Sequence, residues 1–165
     1  MKSWRLPSDQ KCDDFRALSA LVARALEPLL SPAIAPEKRG LYLATADAGI
    51  ADTLQFWAAA LAETPRFASP ANFPFCLANA PAGQLARELR LRGPCYTLVG
   101  AGEAVDAAID HALVDLDQGW IEEAVVVACN LGPAPRAAAL VVGDAGELGQ
   151  SDVRAWISQG VRVEP

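Results

Sequence analysis

The side chains that could serve as nucleophiles or bases in this chain are few and lie far apart. The sequence contains one histidine, His111, and four cysteines, Cys12, Cys76, Cys95 and Cys129. No two cysteines form a CxxC pair, and the chain offers a single histidine as a further zinc ligand. We therefore expect no metal and no cofactor. A thiol becomes a strong nucleophile beside a base or at a helix N-terminus. The sequence places no obvious base next to these thiols.

The stretch from residue 93 to residue 120 has the pattern in which many α/β enzymes carry a reactive group. It predicts a strand at Cys95–Val99, a turn of small residues at 100–102, and a helix from Glu103 to Leu116 that Gly119 ends. A helix N-terminus stabilises negative charge through its dipole and free N–H groups. The turn holds no Cys, Ser or Thr, and His111 lies about two and a half turns into the helix. The pattern therefore predicts the strand, turn and helix that position a nucleophile in many enzymes, but no nucleophilic side chain in the turn.

This stretch resembles the active-site segment of the β-ketoacyl synthases, a thiolase-like family. The likeness rests on the run GPCYTLV at 93–99, on the small residues of the following helix, and on the upstream runs ASPANF at 68–73 and NAPAG at 79–83. It covers roughly residues 40–145. It is closest to the ketosynthase-like chain-length factors, especially small ones of aryl-polyene pigment pathways. The resemblance places the family's reactive cysteine at Gly102, its preceding Asp at Val99, and its following serines at Glu103 and Ala104.

The resemblance implies a non-catalytic subunit in fatty acid or polyketide biosynthesis of the aryl-polyene kind. In the family, the strand before the turn lies at the sheet edge and pairs antiparallel with its counterpart across a two-fold axis. We therefore expect a homodimer, or a heterodimer with a ketosynthase, through Cys95, Tyr96, Thr97, Leu98 and Val99. The resemblance makes Phe73, Asn79 and Gly102 candidates for an acyl tunnel or its entrance, and an acyl carrier protein a possible partner.

Two other functions remain open at the level of sequence. One is a free-standing degenerate domain that dimerises and binds acyl carrier protein or an acyl chain. The other is a small thiol-dependent acyl transferase that uses Cys95, although a thiol at the start of a buried strand is more often an inert core or interface group. The basic cluster of Arg87, Arg90 and Arg92 could meet an acidic carrier protein or could simply be a solvated helix face.

Strands without clear polar alternation, separated by helices, predict an α/β fold: a mostly parallel sheet with helices on both faces. The resemblance makes this one half of a thiolase-like fold, and we expect a single domain over residues 1–165. Residues 1–12 are not apolar enough to predict an opening strand. We expect a helix at Asp52–Glu63 with an apolar face of Leu54, Trp57 and Leu61, a helix capped by Asn79, and a last strand at Val161–Val163. We also expect the backbone at Gly102 to need a positive φ or a close approach.

The composition excludes several classes of partner. The net charge of −6 argues against nucleic acid, which is bound by clustered Lys and Arg, and does not suit an anionic membrane surface. No apolar run approaches the roughly 20 residues of a membrane span, and the polar start MKSWRLPSD lacks the pattern of a signal peptide. We expect a cytoplasmic protein with reduced thiols.

Overall fold

Five strands form one mixed sheet in the computed structural model, which describes residues 1–12, 14–47, 49–62, 69–100, 102–131 and 135–159. The strands are β1 (Lys2–Arg5), β2 (Arg39–Thr45), β3 (Cys95–Val99), β4 (Glu123–Asn130) and β5 (Arg136–Val142). Their order across the sheet is β1-β5-β4-β2-β3. β2 pairs parallel with β3 and β4, whereas β5 pairs antiparallel with β4 and β1. Four strands therefore run in one direction and β5 opposes them.

The predicted α/β class is confirmed, but the sheet is mixed rather than mostly parallel in its pairing. The expectation that residues 1–12 supply no strand is wrong, because β1 pairs with β5 from Lys2 opposite Val141 to Arg5 opposite Ala138. An edge strand needs little apolar character. In β1 only Trp4 packs against the core, and its neighbours in the strand are exposed.

Six helices lie around the sheet in the described part of the chain. They are α1 (Phe15–Leu26), α2 (Ile50–Ala62), α3 (Ala80–Glu88), α4 (Gly102–Asp117), α5 (Ala145–Leu148) and α6 (Ser151–Gln159), with 3-10 turns at Glu27–Leu29, Pro36–Lys38 and Phe73–Cys76. Asp14 caps α1 by accepting a hydrogen bond from the Ala17 N–H at 2.7 Å. Pro28 stands in the 3-10 turn that ends this helix. None of the described helices combines the length and apolar character that a bilayer span requires.

Each face of the sheet buries its own hydrophobic core. α1 and α3 pack on one face against side chains such as Leu41, Leu43 and Val125. α4, α5 and α6 pack on the other face against Tyr42, Val126 and Leu140. Because both faces are covered, all residues of β2 are buried, and this explains why the sequence shows no polar alternation there.

Two local predictions for the region between β2 and β3 are wrong. Asn79 precedes α3 but makes no side-chain capping hydrogen bond, because its backbone (φ −87°, ψ −3°) is already close to helical. In α2 the predicted apolar face does not pack: Leu54, Trp57 and Leu61 are all more than half exposed, and within the helix only Ala60 is buried. The predictions for Ala101 and the strand Val161–Val163 lie outside the described residues.

Candidate functional site

β3 has no neighbouring strand on its outer side among the described residues, and this edge presents a row of backbone hydrogen-bonding groups. The Leu41 N–H donates to the Pro94 carbonyl at 2.8 Å, and the Gly100 N–H donates to the Thr45 carbonyl at 3.0 Å. A parallel ladder uses alternate residues of each strand. The even-numbered residues of β3 therefore bond to β2, and the N–H and C=O groups of Cys95, Thr97 and Val99 point away from the sheet.

The side chains along this edge are largely apolar and partly in solvent. Cys95, Tyr96 and Val99 are exposed, while Thr97 and Leu98 are half-buried. The prediction that Cys95 begins a buried strand is wrong, because β3 is the last strand of the sheet. An open apolar edge of this kind promotes association unless something covers it.

A stack of rings links the core to this edge. The Tyr42 hydroxyl donates to Asp115 Oδ2 at 2.6 Å in the buried interior. The Tyr42 ring stacks on Tyr96 with centroids 5.7 Å apart, and Tyr96 stacks on His111 at 5.2 Å. Burial, followed by the hydrogen bond and the negative charge of Asp115, raises the pKa of Tyr42. The stack fixes Tyr96 and places His111 on the outer surface of α4, beside β3.

Thr97, in the middle of β3, has a buried hydroxyl oxygen with no hydrogen-bond partner among the described residues. A buried hydroxyl without a partner costs stability. The backbone N–H and C=O of Thr97 face the open edge, whereas its hydroxyl is buried. The main chain is therefore available for pairing with another strand, while the unpartnered side chain lowers the stability of the fold.

The turn after β3 leads into the N-terminus of α4 at Gly102. Apart from its chain neighbours and the nearby backbone of α4, a Cβ placed on Gly102 would meet no heavy atom within 4 Å, and Gly102 is not among the glycines with positive φ. The prediction that Gly102 is required by strain or close approach is therefore wrong. The position is open, and a side chain there would project freely from the start of the helix.

The sequence analysis missed the role of Glu103 in this turn. A Cβ placed on Gly100 would lie 3.1 Å from Glu103 Oε1, so the carboxylate lies beside the turn, in the first turn of α4. A carboxylate here interacts favourably with the helix dipole and disfavours a second negative charge nearby. A glutamate in the first helical turn was visible in the sequence, and the capping preference of acidic residues could have indicated this position.

None of the described contacts activates a cysteine. Burial raises the pKa of the Cys95 thiol although the residue as a whole is exposed. Burial, with the charge of Asp47, raises the pKa of Cys129 to about 12. The Cys76 thiol donates to the Asp52 carbonyl at 3.6 Å. The described residues contain no cluster of His, Cys, Asp and Glu that could hold a metal ion.

The other predicted site residues are not brought together with the turn by any described contact. Phe73 is exposed and packs against Phe56 of α2, with ring centroids 5.9 Å apart. Asn79 is exposed at the start of α3. Arg87, Arg90 and Arg92 are exposed, and Arg92 forms a surface ion pair with Glu37 at 3.3 Å.

The sequence matches no family model and no curated protein, whereas several solved structures match the fold. The ishigamide ketosynthase/chain length factor superposes with a TM-score of 0.70 at 20% identity, over 86% of this chain and 46% of that chain. A type II PKS acyl-carrier protein in complex with its ketosynthase, AntDE:AntF, matches with a TM-score of 0.60 at 17% identity, over 75% and 32%. The ketosynthase ApeO in complex with its chain length factor ApeC, from Xenorhabdus doucetiae, matches with a TM-score of 0.62 at 11% identity, over 96% and 90%.

These matches show that the chain has the fold of one thiolase-like half of ketosynthase and chain-length-factor structures. It spans less than half of the first two matched chains but most of the third. The predicted resemblance is therefore confirmed at the level of the fold.

Proposed function

We propose that this chain is a non-catalytic, ketosynthase-like subunit of the chain-length-factor type, in fatty acid or aryl-polyene-like polyketide biosynthesis. The observation that carries the proposal is the turn before α4. Its first helical residue is Gly102, which has no reactive group, and the Glu103 carboxylate lies beside the turn. A condensing enzyme needs a thiolate there and an environment that favours negative charge.

The proposed partner is an active ketosynthase, bound through the open edge of β3. The outward backbone groups of Cys95, Thr97 and Val99 can pair antiparallel with an equivalent strand. When the ketosynthase is absent, the same edge can form a homodimer. A two-fold axis through Thr97 then places this residue opposite its counterpart and Cys95 opposite the partner's Val99. Two of the matched structures combine a ketosynthase with a chain length factor.

Contact with an acyl carrier protein is a second element of the proposal. One matched structure contains an acyl-carrier protein bound to its ketosynthase. In this chain Arg87 within α3 and Arg90 just after it are exposed, make no ion pair with another described residue, and suit an acidic helix. Phe73, Asn79 and Gly102 remain predicted positions of an acyl tunnel or its entrance.

Incubation with acyl thioesters, followed by intact-mass measurement, tests the catalytic part of the proposal. We expect no acyl adduct on this chain, because no thiol lies at the turn and burial raises the pKa of Cys95. An active ketosynthase treated in parallel is the positive control. A stoichiometric adduct that disappears in Cys95→Ser would contradict the proposal and favour a thiol-dependent acyl transferase.

A further inference from the structure

The imidazole of His111 lies at the outer end of a row of three rings, beside the open edge of β3. The Tyr42 ring stacks on Tyr96 with the ring planes 21° apart, and His111 stacks on Tyr96 with the planes 10° apart. Tyr42 is fully buried, whereas His111 is exposed. Tyr42 therefore covers the inner face of the Tyr96 ring, and His111 covers its outer face, beyond the last strand of the described sheet.

The side chains of Tyr96 and Leu98 project on the face of the sheet that α4 covers. Their partners across the parallel ladder are Tyr42 and Ala44, which belong to the core on that face, and Leu98 packs against the same core. Residues directly opposite each other on paired strands project on the same face. A strand that pairs with β3 must therefore place the side chain opposite Tyr96 on the α4 face, next to His111.

The His111 ring lies where that opposing side chain would go. The even-numbered residues of β3 bond to β2, so Tyr96 and the residue opposite it would form a pair without hydrogen bonds between them. The Cα atoms of such a pair are about 4.5 Å apart and the side chains are close together. The His111 ring centroid is 5.2 Å from the Tyr96 centroid. The imidazole and a large opposing side chain therefore compete for the same space.

We propose that His111 determines which strand can pair with β3, by requiring a small residue, glycine or alanine, opposite Tyr96. This inference rests on the proposed pairing through β3 and names a residue that sets its specificity. In the homodimer centred on Thr97, each Tyr96 lies opposite the partner's Leu98. Both copies of His111 then meet a leucine, and each must give up its stack on Tyr96.

The same contact gives a reason for choosing a ketosynthase over a second copy of this chain. A ketosynthase strand with a small residue opposite Tyr96 leaves the row of rings intact, whereas the homodimer disrupts it twice. Specificity of this kind comes from an unfavourable contact with the wrong partner. His111 therefore weakens the homodimer and leaves the edge of β3 open to the heterologous strand.

Sedimentation equilibrium of the chain alone measures the effect on the homodimer. We expect His111→Ala to lower the dissociation constant of the homodimer at least tenfold, because it removes the ring from both copies. Leu98→Ala should also lower it, because the residue opposite Tyr96 becomes small. Val114→Ala is the matched control, since it truncates another exposed side chain of α4, and it should not tighten the homodimer. Adding Thr97→Pro to His111→Ala should abolish the gain.

The outcome is decided by comparison with the unmodified chain. A His111→Ala chain that associates no more tightly than the unmodified chain overturns the proposal, whether both are dimers or both are monomers. A gain in association that survives Thr97→Pro also overturns it, because the contact then lies outside β3.

A candidate ketosynthase tests partner choice separately. Changing the residue of its edge strand that faces Tyr96 to leucine should weaken its complex with the unmodified chain at least tenfold, measured by isothermal titration calorimetry. The same change should have little effect on the complex with His111→Ala. Equal weakening with both chains overturns the role of His111. A ketosynthase that binds neither chain contradicts the proposed function instead, and the homodimer measurement then decides the role of His111 alone.

Discussion

At the scale of single residues, two neighbouring positions separate this turn from a reactive one. Gly102 has open space at its Cβ, so the absence of a thiol there follows from residue type and is not imposed by the backbone. Glu103 places a carboxylate beside Gly100, at the start of the same helix, where it disfavours a second negative charge nearby. The missing nucleophile could be predicted from the sequence. The reason why glycine stands at position 102 could not, because the space around a Cβ depends on the packed turn.

The effect of Glu103 on the turn can be measured with an introduced thiol. Gly102→Cys should fold with unchanged stability, and its thiol should lack the strongly lowered pKa that helix N-termini usually confer. Adding Glu103→Gln removes the nearby charge and should lower that thiol pKa, measured from the pH dependence of alkylation in a Cys95→Ser background. Identical alkylation profiles for the single and double variants would show that Glu103 has no influence on the turn.

At the scale of elements, the bounds of β3 could be read from its β-prone apolar run, and the strand is as predicted at Cys95–Val99. The strand β1 could not be predicted from the sequence, because an edge strand needs only backbone pairing and the polar residues of β1 carry no strand signal. The exposure of α2 also could not be predicted. A stripe at helical spacing indicates that a helix packs against something, and the sequence does not say whether the partner is its own core or another chain.

The assignment of outward and inward residues in β3 gives a prediction at this scale. Thr97→Pro removes an N–H that faces the open edge, so the isolated chain should keep nearly all its stability. Leu98→Pro removes an N–H that bonds to β2, because the even-numbered residues of β3 pair with that strand. It should lower the free energy of unfolding by at least about 1–3 kcal/mol. Chemical denaturation of both variants at low protein concentration distinguishes them, and equal losses would mean that the alternation is assigned wrongly.

At the scale of the whole molecule, the sheet has a complete core on each face and one open apolar edge. The fold class followed from the sequence, because apolar strands alternating with helices leave few other architectures. β5 runs opposite to the other strands because it forms an antiparallel hairpin with β4, which only a short link separates from it in the sequence. The proposed pairing with a ketosynthase depends on one exposed surface, the β3 edge.

The most direct test of the central claim is co-expression of this chain with a candidate ketosynthase, followed by native mass measurement of the purified complex. The account predicts an assembly with equal numbers of the two chains for the unmodified protein. It also predicts the same assembly for Thr97→Val, which keeps the outward N–H, and loss of the ketosynthase with Thr97→Pro. A ketosynthase that binds the Thr97→Pro chain as well as the unmodified one, or that binds neither, would contradict the claim that this chain pairs through β3.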